Sequence, residues 1–319
     1  MKLQIRTILM RAAMLLVSLY SVSVTAEGKP VDETLPASAG GHVEISVVRG
    51  ELEVRGWDRS EIYVTGILDE QMTEFVFDVD AENATIAVRV PRSTDDWCCD
   101  DGSNLKVYVP MGSQVNIASV STDVRVLDLA GGLDVGAVSG DVDIKNVQER
   151  VMVALVSGDI DIQDARGRIR LKSVSGDVHA SNIDGPMDMH SVSGDLTLRG
   201  ASGDVEVKTV SGDIDVQDLG FRELRGSSVS GDIDIEGEVR TGGIIECDTI
   251  SGDIRVKFAG VVSARFDLDT RSGSIRNRLN DEQPTESKYA NRENLRMVVG
   301  AGETEVILQS RSGNIVISQ

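Results

Sequence analysis

The chain has 319 residues, with 52 acidic against 32 basic side chains, a net charge of −20, and only 3% aromatic residues. Such a surface makes nucleic acid and bare anionic lipid poor general partners, so no nucleic acid is expected, and leaves cations, basic proteins and neutral glycans open. Three cysteines are too few for a disulfide framework, and few aromatics beside abundant Val, Ile, Gly and Asp suit narrow stacked strands better than a thick core.

Lys2, Arg6 and Arg11 form a basic stretch, Ala12 to Val24 an apolar one, and Val24-Thr25-Ala26 supplies the small residues of a cleavage site. Residues 1–26 therefore read as a signal peptide, and the protein as exported to the periplasm or the cell surface of a bacterium. Losing those three cations takes the net charge from −20 to −23. No later segment is long and apolar enough to cross a bilayer as a helix, so no integral span is expected after cleavage.

Residues 27–112 read as a β-rich N-terminal segment and cap. Val48, Gly50, Leu52 and Val54 follow the spacing described below, so coiling is expected from near residue 43, and FVFDVD, TIAVRV and LKVYV add alternating runs around the acidic loop STDDWCCDDGS. The end of a repeat fold must cover its open edge, which is the role this segment would take. In the loop, Cys98 and Cys99 sit beside Trp97 among Asp95, Asp96, Asp100 and Asp101. Adjacent cysteines lack the spacer of a zinc knuckle, and no His is near. A disulfide, vicinal or between chains, stands against plain thiols and a soft-metal site.

Residues 113–319 are a repeat region. The turn reads AVSGD at 137–141, LVSGD at 155–159, SVSGD at 173–177 and again at 191–195, TVSGD at 209–213, SVSGD at 228–232 and TISGD at 249–253. Its serine recurs every 18 residues at Ser121, Ser139, Ser157, Ser175, Ser193 and Ser211, then at Ser230, Ser251 and Ser272 after steps of 19, 21 and 21, with Ser312 a further 40 on. One structural unit is being stacked.

Within a unit counted from Ser157, apolar residues fall at Ile160, Ile162 and Ala165, then at Ile169, Leu171 and Val174, the second triplet repeating the first nine residues later. Alternation by two is the strand period, and Gly158 and Gly167 precede the two strands. A hexapeptide helix would need an apolar residue where Arg150 and Arg168 stand. The pattern therefore predicts an all-β fold, a two-sided parallel β-solenoid with about 18 residues per coil stacked at about 4.8 Å. Longer steps read as bulges or loops that keep Ile245, Cys247, Phe266, Leu268, Val306 and Leu308 inward, and the far end is expected to close with a polar insertion, Asn280 to Arg296, and a last coil through Ile315 and Ile317.

The glycines Gly140, Gly158, Gly176, Gly194, Gly212, Gly231 and Gly252 would supply the turn dihedrals, with Ser139, Ser157, Ser175, Ser193, Ser211, Ser230 and Ser251 and the following aspartates satisfying turn amides. The aspartates admit two readings. Asp123, Asp141, Asp159, Asp177, Asp195, Asp213, Asp232 and Asp253 form an outward ladder whose neighbours repel by about 0.9 kcal/mol in water at about 4.8 Å. Either turn amides offset that repulsion, or a row of Ca²⁺ ions does, with Asp141, Asp143, Asp159, Asp161, Asp177, Asp195 and Asp213 as candidate ligands. A turn with one glycine is short for wrapping an ion with six oxygens, so no cofactor is the first expectation and Ca²⁺ the alternative.

His42, His179 and His190 read as isolated surface histidines, and no Ser-His-Asp, HExxH or phosphate-loop pattern occurs. The opening VEISVVRGELEVRGWDRSEIYVTG, the serial VSGD turns and the ending GAGETEVILQSRSGNIVI resemble the exported bacterial "putative adhesin" family, a domain of unknown function, over roughly residues 41–319. The resemblance implies a β-solenoid and an envelope location, and carries no catalytic residue across. The WCCDD loop departs from that family's pattern.

Three functions follow as expectations. The first is a non-catalytic, adhesin-like binding or structural solenoid whose repeated surface suits an extended glycan or an envelope or host protein. The second is a polysaccharide-active β-helix enzyme, lyase or glycoside hydrolase, which would need the longer loops at 91–104, 236–245, 257–265 and 279–296 to gather around a cleft. The third is a periplasmic envelope-stress partner.

Overall fold

A computed structural model describes residues 28–91, 102–286 and 291–319. The signal-like segment and the adjacent cysteines Cys98 and Cys99 lie outside the described residues.

Each coil is two strands and two turns. Val151–Ser157 runs parallel to Ile169–Ser175 with Val151 opposite Ile169 and Ser157 opposite Ser175, so neighbours are 18 residues apart. On the opposite wall Ile160–Arg166 pairs with Val178–Asp184 in the same register. The two walls close on a thin core in which Ile160, Ile162, Ala165, Ile169 and Leu171 are all buried. The side chains are aliphatic and mostly β-branched because the space between the walls is narrow and the backbone pleated.

One position of the repeat departs from the sequence expectation. Val174, expected inward, is 45% exposed, and Ser173 before it is buried. Val156 and Val210 point outward in the same way, over buried Leu155 and Thr209. The reason is a bulge in only one of the two strands. Asp128, Asn146, Asp164, Asn182 and Asp218 have φ between 53° and 59°, and Gly200 has φ 64°. Each stands seven residues after its turn serine and inserts a left-handed residue before the third inward position, giving the spacing 3, 5, 8. The other strand has no such residue, so plain alternation gives 12, 14, 16 and turns the valine out.

The ends are built out of sequence order. His42–Trp57 is already a full coil, parallel to Gln114–Leu129 on one side and to Asn83–Arg89 and Ser103–Pro110 on the other. Glu74–Asp80 and Glu61–Leu68 then cover that end in antiparallel pairing, with Lys29–Pro36 beyond. At the far end Thr304–Ser312 lies between Ile233–Ser251 and Ala264–Thr270, and Ile315–Ser318 lies between Ile254–Phe258 and Ile275–Asn277. Ser312 thus stacks between Ser251 and Ser272, and the coil through Ile315 and Ile317 is last in sequence but interior in space. Glu293–Val299 closes over Ala264–Thr270 in antiparallel pairing. Parallel edges that would template further chains are thereby covered.

Candidate functional site: a turn ladder and a valine-lined wall

The turn aspartates form a continuous hydrogen-bonded ladder. The N–H of Asp141 donates to Oδ1 of Asp123, and the same bond recurs from Asp159 to Asp141, Asp177 to Asp159, Asp195 to Asp177, Asp213 to Asp195, Asp232 to Asp213 and Asp253 to Asp232, at 2.7–3.0 Å. Asn314 N–H continues it onto Asp253. Each carboxylate meets a backbone dipole rather than only its neighbour's charge. The serines contribute backbone carbonyls, as where Gly158 N–H donates to Ser175 O and Gly176 N–H to Ser193 O. Gly176 is required here: φ is +125°, and a Cβ would lie 2.0 Å from Gly158 O.

The outer candidates of the cation row have other partners. Asp143 accepts from Arg125 Nε at 2.9 Å, and Asp161 accepts from Gln163 Nε2 at 3.1 Å. Among the described residues no group of three or more His, Cys, Asp or Glu side chains converges to hold a metal ion. Cys247 is buried, and desolvation pushes its thiol up to about 12.

The outward valines make the second ladder. Val120, Val138, Val156, Val174, Val192, Val210, Val229 and Ile250 occupy successive coils and expose 41–48% of their surface. Parallel register keeps them in one line, since Ser121, Ser139, Ser157 and Ser175 one residue later pair directly. Contiguous exposed apolar surface of this kind marks an interaction site more often than scattered apolar residues do.

Two residues before each valine, and outward on the same wall, stand Ala118, Gly136, Ala154, Lys172, His190 and Lys208. A groove of about 610 Å³ runs from Ala154 past Lys172, His190 and Lys208, beside Val156, Val174, Val192 and Val210. His190 is half-buried rather than isolated at the surface. Its Nε2 is buried with no hydrogen-bond partner, and burial pushes its pKa down. The column beyond is paired: Arg170 with Asp188, and Lys208 with Glu206. His42 and His179 are exposed.

Among the described residues the longer segments do not gather around one common cleft: Arg292 and Arg296, from the 279–296 segment, line a space of about 400 Å³ in which they are paired with Asp269 and Asp267. Residues 236–245 and 257–265 meet near Phe258 and Thr304 around a space of about 30 Å³, room for a water or two. Ser103, at the end of the 91–104 segment, belongs to the opposite end of the stack, where it faces Gly50.

The sequence reading missed both the valine wall and the left-handed column. The signal for the second was present, because Asp128, Asn146, Asp164, Asn182, Gly200 and Asp218 recur every 18 residues and are residue types that tolerate positive φ.

The fold and its ladders define an open, parallel, all-β solenoid with both ends covered. The chain belongs to the Toastrack DUF4097 family, whose model matches residues 41–203 and again 151–318. The two matches overlap because the repeat allows the model to be laid twice along one stack. No curated protein matches the chain. Among solved structures, a "putative adhesin" from Parabacteroides distasonis aligns over 92% of this chain and 98% of its own at 14% identity, with a TM-score of 0.41. A "putative adhesin" from Parabacteroides merdae aligns over 92% and 97% at 10% identity and 0.38. A "putative lipid binding protein" from Parabacteroides distasonis aligns over 90% and 97% at 14% identity and 0.36.

Proposed function

We propose that this is a non-catalytic, exported protein of the bacterial envelope that holds an extended ligand against its valine-lined wall. The observation that carries the reading is the unbroken row of eight β-branched side chains from Val120 to Ile250, exposed on a chain whose net charge is −20. A solenoid with a core this thin has inward positions for its apolar residues, and leaving one per coil in water costs solubility unless the row is covered in use. Export rests on the basic and apolar stretches before Ala26. The tight turns and the placement of the longer segments around separate spaces rather than one groove favour binding over polysaccharide cleavage.

The test is retention of labelled protein on isolated envelopes, comparing wild type with a Val174→Asp/Val192→Asp double variant. Both positions are outward, so the fold should tolerate the change. Retention lost in the variant supports the reading, and equal retention would move binding off this wall. Protease treatment of intact and permeabilised cells would separate a surface location from a periplasmic one.

A further inference from the structure

The wall is not uniform along the stack, and its polarity is ordered. Toward the N-terminal end the column beside Val120, Val138 and Val156 holds only small residues, Ala118, Gly136 and Ala154, with Asn116, Asp134 and exposed Met152 on its far side, and it runs into the groove at Ala154. Toward the C-terminal end the same column becomes Lys172, His190 and Lys208 while the valines continue. Among the described residues Lys172 pairs with no carboxylate, whereas Arg125, Arg150, Arg166 and Arg170 each do.

We propose that this wall binds a single-chain anionic amphiphile, with the acyl chain along the small-residue column Ala118–Gly136–Ala154 and the acidic head in the groove at Lys172. This rests on the binding reading above and names its ligand class. The periodicity of the wall favours a polymethylene chain. Rungs are about 4.8 Å apart along the stack, whereas an extended peptide presents same-face side chains about every 6.6–6.8 Å and falls out of step within a few rungs. A polymethylene chain has no side-group period to match. A second copy of this chain would match the spacing, but a two-fold pairing centred between Val174 and Val192 brings Lys172 and His190 of both copies together. The small residues of the column give a chain room to sink between the valines and Met152, and burying methylenes there is the source of affinity.

The experiment is calorimetric titration of the purified protein with decanoate, dodecanoate and tetradecanoate below their micelle concentrations, with dodecyl maltoside monomers as the uncharged probe. Saturable binding that tightens with chain length, by up to roughly fourfold per added methylene, is expected. Ala154→Trp, which fills the small-residue column from an outward position, should abolish binding with the melting transition retained. Lys172→Glu should weaken carboxylate binding at least tenfold and leave dodecyl maltoside unchanged. Absence of saturable binding, or binding indifferent to chain length and to both substitutions, overturns the proposal. Sedimentation showing a wild-type dimer that Ala154→Trp converts to monomer also overturns it, in favour of a second copy. If titration fails while envelope retention still depends on Val174 and Val192, only the ligand class is wrong.

Discussion

The N–H of Asp177 donates to Oδ1 of Asp159, one coil away, at 2.8 Å. That bond is repeated along the whole regular stack, so the turn acid is both a ligand for the next coil's amide and a charge beside its neighbour's charge. The first role predicts that Asp177→Ala leaves the Asp195 amide without its acceptor and costs about 1 kcal/mol, near the net value of one hydrogen bond. Asp177→Asn keeps an acceptor oxygen and removes repulsion, so its cost should be smaller. Denaturant unfolding of the two variants measures the difference. Calcium added to the same samples tests the alternative: a melting temperature raised by millimolar Ca²⁺ in wild type but not in Asp177→Asn would assign the ladder to the ion.

Two glycines in the same stack should respond oppositely to alanine. Gly176 has φ +125° and a would-be Cβ 2.0 Å from Gly158 O, so Gly176→Ala must displace a coil and should cost on the order of 4 kcal/mol or prevent folding. Gly136 lies in a strand, and its Cβ would meet only Ile117 O at 4.0 Å. Gly136→Ala should be neutral or stabilising by up to about 1 kcal/mol, because alanine orders the unfolded chain. Paired melting curves are decisive, since similar losses at both sites would refute the close-approach argument.

Asn182 tests the left-handed column. Its φ is +56°, and its Nδ2 donates to Asp164 Oδ1 at 3.0 Å. Asn182→Ala should cost roughly 1–2 kcal/mol from backbone strain, with the lost bond in addition. Asn182→Gly should cost less, as the next coil already carries Gly200 there with φ 64°. Equal losses measured by chemical denaturation would show that the side-chain bond, not the dihedral, holds the bulge.

Most of the architecture was legible in the sequence because an 18-residue period leaves few solutions, and buried positions such as Ile160, Ile162, Ile169 and Leu171 carry a simple alternation. Where the reading failed, it assumed that the two strands of a coil were copies. A single left-handed residue such as Asp164 makes them unequal, and the difference flips Val174 from core to surface. The order of the end coils was hidden for another reason. Ser251, Ser272 and Ser312 carry similar turn motifs, and local pattern holds no information about which of them are neighbours in space. The groove was hidden because Lys172, His190 and Lys208 are unremarkable singly and become a site only when register stacks them.

Asp69 should make the N-terminal end sensitive to acid. Arg49 Nε and Nη2 donate to its two oxygens at 2.6 and 3.0 Å, the backbone N–H of Asp69 donates to Ser103 Oγ at 3.0 Å, and its carboxylate is buried. The Arg49 hydrogen bonds hold its pKa below the usual carboxylate value of 3.8. A depressed folded-state pKa contributes stability that is fully present above the unfolded pKa and is lost as pH falls through the folded one. Asp69→Asn should therefore destabilise by about 3–5 kcal/mol at pH 7, the range for breaking a buried pair. The gap between wild type and variant should narrow below pH 3.8. Unfolding midpoints at pH 7 and pH 3 give the comparison, and a gap independent of pH would remove the ionic account.

The interior position of the last strands makes the C-terminal end unusually intolerant of truncation. In a solenoid whose final coil is terminal in space, deleting it exposes one new edge and leaves the remaining coils paired. Here Thr304–Ser312 and Ile315–Ser318 are sandwiched, so deleting residues 304–319 unpairs Ile233–Ser251 from its neighbour and separates Ala264–Thr270 and Ile275–Asn277 from the stack. Val306, Leu308, Ile315 and Ile317 are buried, and their core partners Ile245, Phe266 and Leu268 would be opened with them. The expected result is local unfolding of everything from about residue 264 onward, seen as loss of amide-exchange protection there, while coils near Ile160 and Ile169 stay protected. If Ala264–Thr270 keeps its protection in the truncated protein, it has paired directly with Ile233–Ser251, and the coil order is not needed for folding.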